Sequence, residues 1–167
     1  LPTPQEAGGK KGHLGVKLLS SSPVLMLLLL IVMSTQVVSA VLGLSFQTIL
    51  QDAMPNMDQQ TAYQGRFFSM INGAAAFLQF VVAPLLLSFL PVGLIHVGIP
   101  MVHVFTIGAL LLHPSLQTTA TAYFLFKAID YSIFRATKET LYIPLSFDAR
   151  YRAKEIIDCF GYRFSKG

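Results

Sequence analysis

Hydrophobic positions in this chain fall into long blocks, not a helix-by-helix alternation with polar faces. Leu18 through Gln51 contains no Asp, Glu, Lys or Arg, and Phe67 through Phe126 continues for sixty residues on the same terms. A membrane-crossing helix needs about 20 mainly apolar residues, so the blocks accommodate about four, near 24–50, 68–90, 94–112 and 118–142. A soluble helical domain would interrupt such blocks with a polar face every few residues. The fold expected is therefore all-α: a polytopic membrane helix bundle of four spans.

The punctuation between the blocks supports that division. Ser20-Ser21-Ser22-Pro23 is a helix start, with a hydroxyl cap and a proline in the first turn. Asp52 to Arg66, polar and charged, reads as the first loop. Pro91 and Gly93 mark the next turn, His113-Pro114-Ser115 the one after, and Pro144 ends the last span. Pro84 should kink the second span, because proline removes an intrahelical hydrogen bond. Gly43 and Gln47 give the first span a small, polar face that packs against a helix or lines a cavity. Asn72, Gly73 and Ala74–Ala76 make the second span slim enough for close helix contact. Residues 149–160 place Ala153, Ile156, Ile157 and Phe160 on one stripe, which predicts a short amphipathic helix on the membrane surface or against the bundle.

Charge adds orientation. Only 12% of the residues are charged and 53% are hydrophobic, against about 25% charged in soluble domains. Lys10, Lys11 and Lys17 precede the first span, and seven of the twelve Lys and Arg residues lie from Arg135 onward. Basic ends on the cytoplasmic side are the usual membrane pattern, so both termini of this segment are expected in the cytoplasm, with residues 1–22 a polar linker and 146–167 a cytoplasmic segment. That distribution also accounts for the net charge of +4 without a nucleic-acid partner. The apolar run after Lys17 is too long for a signal peptide and lacks a small-residue cleavage pattern. The lone Cys159 forms no internal disulfide. A chain opening at Leu1 and closing at Phe164-Ser165-Lys166-Gly167 is expected to be a fragment of something longer, and a bacterial inner membrane is the expected location.

Candidate chemistry lies in the last span. Lys127 and Lys138 are eleven residues apart, nearly three helical turns, and so share a face. Tyr131 and Arg135 lie between them; Asp130 is three residues from Lys127 and Glu139 four from Arg135, spacings that allow pairing along one helix. Cations that meet an anion, an aromatic ring that stacks, and acids that neutralise the cations in the empty site would form a transporter cavity for an organic anion. An ion pair that locks helices, with Lys138 and Glu139 as interfacial anchors, is the competing account. His96 and His103 share a face of the third span, as a metal or proton site or as two unrelated polar contacts. No phosphate loop, zinc spacing or nucleophile arrangement is present, so neither an enzyme nor a cofactor is expected.

The run Tyr131-Ser132-Ile133-Phe134-Arg135-Ala136-Thr137-Lys138-Glu139-Thr140-Leu141-Tyr142-Ile143-Pro144-Leu145 resembles the signature of the ATP:ADP antiporters of plastids and obligate intracellular bacteria. The resemblance continues through Arg152-Ala153-Lys154-Glu155-Ile156-Ile157-Asp158 and Gly161-Tyr162-Arg163-Phe164, and is collinear at Tyr63-Gln64-Gly65-Arg66-Phe67-Phe68-Ser69. It implies the opening helices of the carboxy-terminal half of a transporter related to the major facilitator fold, with the remainder elsewhere in a larger protein. It also implies that Lys138 serves nucleotide transport. Where that family carries a glutamate followed by lysines, Gly43–Gln51 here is uncharged, which opens the comparison to antiporter-like bacterial proteins with other cargo. The function expected is membrane transport of an organic anion, with nucleotide exchange implied by the resemblance. The residues assigned to the substrate are Lys127, Asp130, Tyr131, Arg135, Lys138 and Glu139. The alternative is a non-transporting scaffold or homo-oligomerisation module derived from a transporter.

Overall fold

The computed structural model describes residues 22–145, 150–151 and 154–164, the last five of these as backbone only. Every regular element among them is helical: α1 Pro23–Ala53, α2 Met57–Phe77, α3 Ala83–Phe89, α4 Val92–Leu112, α5 Leu116–Ile129, α6 Arg135–Leu141 and α7 Lys154–Phe164. Two π turns, Leu78–Val82 and Asp130–Phe134, join α2 to α3 and α5 to α6 without a break in the helix.

Three stretches, Pro23–Ala53, Met57–Phe89 and Val92–Leu112, are long and apolar enough to cross a membrane. Their large side chains point outward: Phe80 is 80% exposed, Phe89 81% and Phe105 76%. Such side chains on helices of this length and apolarity face lipid, and the chain is a multi-pass integral membrane protein. Three of the four expected spans meet this measure. The fourth helical stretch, α5 through α6, carries Lys127, Asp130, Arg135, Lys138 and Glu139, and those five charges set it apart from the others.

The loop expected over Asp52–Arg66 is corrected. Helix continues to Ala53 and resumes at Met57. Asn56 caps α2, its Oδ1 accepting from the backbone N–H of Asp58 at 2.8 Å and Gln59 at 3.4 Å. Gln60 Nε2 donates to the carbonyl of Met54 at 2.6 Å and closes the turn. At Pro84 the helix takes up a π turn. Having no N–H, the proline gives nothing to the carbonyl one turn back, and Ala83 N–H bonds the carbonyl of Leu78, five residues earlier. Ser115 opens α5 with a reciprocal cap: its Oγ accepts from Thr118 N–H at 3.2 Å while Thr118 Oγ1 accepts from Ser115 N–H at 3.1 Å.

The chain divides into two compact units. Ser39–Thr140 forms one. Within it Phe67 of α2 stacks near Tyr123 and Phe124 of α5, and the two π turns pack against each other further along the same helices, so α2 and α5 run parallel. His103 and His96 of α4 meet Phe126 and Phe134 in reverse order, so α4 runs antiparallel to the α5–α6 stretch. A core of Ala83, Ile95, Ile99, Ile133 and Phe134 gathers around the paired π turns. Of the slim section in α2, only Ala75 is buried, and Gly73 faces open space.

The other unit comprises the described residues of Leu1–Val38 and Leu141–Gly167. Leu25, Leu28 and Val32 pack with Tyr142 and the fully buried Ile157. Of the two placements open to the amphipathic segment, α7 takes the one against the protein. Arg150 fastens the turn before it, donating to the carbonyls of Tyr142, Ile143 and Leu145. Ala153 and the side chain of Phe160, also assigned to that stripe, lie outside the described residues.

Candidate functional site

Lys127 enters the bundle on α5, within a surrounding of small and aromatic residues: Ala120, Ala122, Tyr123, Phe126 and Ala128 of the same helix are all buried. The side chain is only 7% exposed. Its Nζ lies 3.2 Å from Tyr131 Oη, one turn on, and above two rings, 5.0 Å from the centroid of Tyr131 and 5.8 Å from that of Tyr123. An ammonium has three N–H donors, and one is engaged here. The pairing with Asp130 that the three-residue spacing allows is not made: the ammonium is directed to the phenol. Asp130 is half-buried and within electrostatic reach of Lys127, Lys138 and Arg135.

Tyr123 stands one turn before Lys127 and was not among the residues singled out from the sequence. The i, i+4 spacing of Tyr123, Lys127 and Tyr131 is the signal that marks it. Its ring is held by residues of two other helical segments. Phe46 of α1, fully buried, lies 5.4 Å from Tyr123 and 4.6 Å from Phe67, and Phe67 lies 6.1 Å from Tyr123. Tyr63 extends the cluster at 6.2 Å from Phe67. Gly43 gives Tyr123 room, since a Cβ there would meet Tyr123 Oη at 3.4 Å. The small face of α1 thus packs against a helix, and Gln47 on it accepts a hydrogen bond from Gln64 Nε2 at 3.3 Å.

The shared face expected for Lys127 and Lys138 is altered by the π turn at Asp130–Phe134. A π turn holds more residues than an α turn, so side chains beyond it are rotated by roughly a quarter turn against those before it. Tyr131 is 44% exposed, Arg135 is exposed, and Lys138 and Glu139 are half-buried. The structure therefore brings Lys127 and Tyr131 into direct contact, keeps Asp130, Arg135 and Lys138 electrostatically linked, and puts Arg135 on the surface. Ser132 and Thr137, both buried, bond back to the carbonyls of Ala128 and Ile133 and serve the helix itself.

The histidines of α4 make separate contacts. His96 Nδ1 donates to the carbonyl of Val92 at 3.0 Å, and the ring of His103 lies 4.7 Å from that of Phe126. Among the described residues no group of three His, Cys, Asp or Glu side chains is placed to hold a metal ion.

No family model, curated protein or solved structure matches this chain.

Proposed function

We propose that the protein is a membrane transporter for an organic anion, and that Lys127 with Tyr131 and Tyr123 forms the part of the site that receives the negative charge. The observation that carries this reading is the state of Lys127. A cation is costly at membrane depth and is retained there where it pairs or works, yet this one is held by a phenol and two ring faces instead of a carboxylate. Such an ammonium keeps donors for an incoming anion, and the half-exposed Tyr131 is the group an anion would displace or join. Asp130 then balances the cations of α5 and α6 when no anion is bound. The paired π turns favour the same reading, since such turns concentrate at functional sites in helices.

A fourth span formed by α5 and α6, cytoplasmic ends and a bacterial inner membrane belong to this proposal, as does the likeness to ATP:ADP antiporters that rests on Tyr131–Leu145. Nucleotide exchange is the narrower form of it. The test is uptake into proteoliposomes of labelled ATP, ADP, citrate and benzoate, in the wild-type protein and in Lys127→Gln. The proposal expects saturable uptake of at least one anion and a loss of at least about tenfold in the variant, the cost of one charge-assisted contact. Equal uptake by both proteins would overturn it.

A further inference from the structure

We infer that the groove between α2 and α5 is a binding site for an anionic phospholipid, with Arg66 holding the phosphate and the apolar floor holding an acyl chain. The groove encloses about 780 Å³, and its walls include Arg66, Phe67, Met70, Ala120, Thr121 and Phe124. Arg66 is exposed and is the last charged residue before the sixty-residue apolar run. Among the described residues it has no hydrogen-bond or ion-pair partner.

Depth places the cation where a lipid phosphate lies. The stretch Met57–Phe89 has 33 residues; at 1.5 Å per residue it is about 50 Å long, against about 30 Å of hydrocarbon. Some of it must project beyond the acyl region, and its charged end, with Asp58 and Arg66, is the part suited to do so. Arg66 therefore marks the boundary, and Phe67, Met70, Phe124 and Leu125 continue from it into the apolar layer. A guanidinium above an apolar slot matches a phosphodiester above an acyl chain in both charge and order. A second protein chain seated there would need to present an acid in register with Arg66. A phospholipid brings its phosphate there already. Ala120 and Thr121 keep the floor shallow enough for a chain to lie against α5. This inference does not rest on the transport reading: Ala120 and Phe67 border both sites, but Arg66, which carries the inference, takes no part in the surroundings of Lys127.

The chain contains no tryptophan, so a single introduced one reports its own surroundings. Met70→Trp places the reporter in the groove, and Phe105→Trp places it on α4, where the side chain is 76% exposed. Each full-length variant is reconstituted in phosphatidylcholine bilayers, and quenching is compared between brominated phosphatidylglycerol and brominated phosphatidylcholine. At Met70→Trp the anionic lipid should associate about fivefold more strongly, the weight of one cation near the membrane surface. That preference should vanish when Arg66→Gln is added, and be absent at Phe105→Trp. Equal quenching by both lipids at Met70→Trp, or a preference that survives Arg66→Gln, would overturn the assignment. Quenching by neither lipid would show a protein segment or a second copy in the groove and would overturn it as well. Matching circular dichroism of the variants separates a lost lipid site from a lost fold.

Discussion

Replacing Lys127 by methionine separates a ligand-ready cation from a structural lock. Methionine keeps the length and most of the volume of the stem while removing the charge. In the structure the ammonium gains one charged hydrogen bond, to Tyr131 at 3.2 Å, worth about 1.5 kcal/mol. Its two ring contacts, at 5.0 and 5.8 Å, add about 0.5–1 kcal/mol each. Against this total of about 3 kcal/mol stands the cost of a lysine in the proposed fourth span, about 2.5–3.5 kcal/mol at a span's centre and less toward its end. The two partly offset, so Lys127→Met should cost less than about 2 kcal/mol. A lysine locked to Asp130 would behave differently, because its removal would strand a buried carboxylate at a cost of about 3–5 kcal/mol. The assay is reversible unfolding by SDS titration in mixed micelles, followed by far-ultraviolet circular dichroism. A loss of about 3 kcal/mol or more would refute the reasoning and return Lys127 to a scaffold role.

Other substitutions probe the surroundings of the site. Phe46→Ala, which empties the centre of the aromatic cluster that holds Tyr123, should cost about 3–5 kcal/mol in the same titration. Gly43→Ala should be neutral or slightly stabilising, because its Cβ would make ordinary contact with Tyr123 Oη and alanine favours helix by about 1 kcal/mol. Gly43→Leu should displace Tyr123 and lower both thermal stability and anion uptake. Asn56→Ala removes the cap of α2 and should lower stability by about 1 kcal/mol, with faster amide hydrogen exchange confined to the first turns of that helix.

The helical class and three spans were legible because uncharged blocks of that length have one stable solution in lipid. Helix starts at Pro23 and near Ser115 followed from their caps and prolines. In the segment Asp52–Arg66 polarity does not signal a loop. The segment is helical on both sides of a short break at residues 54–56, which the Asn56 and Gln60 side chains close. Pro84 accompanies the first π turn, although a kink was the form expected there, but Asp130–Phe134 contains neither proline nor glycine, so the second left no local signal. Its rotation of α6 against α5 is the reason Lys127 and Lys138 do not simply share a face. Lys127 and Tyr131 were recoverable from spacing alone. The aromatic cluster of Phe46, Tyr63, Phe67 and Tyr123 was not, because its members come from three helices and no periodicity within one helix records a meeting between helices.

The central claim is that Lys127 receives an anion inside the membrane. Equilibrium binding to purified wild-type and Lys127→Met protein, using whichever of labelled ATP, ADP, citrate or benzoate the wild-type protein takes up, tests it most directly. The account predicts a dissociation constant at least about tenfold weaker in Lys127→Met, the loss expected from one charge-assisted contact, with circular dichroism unchanged. An unchanged dissociation constant in a folded Lys127→Met protein would contradict it.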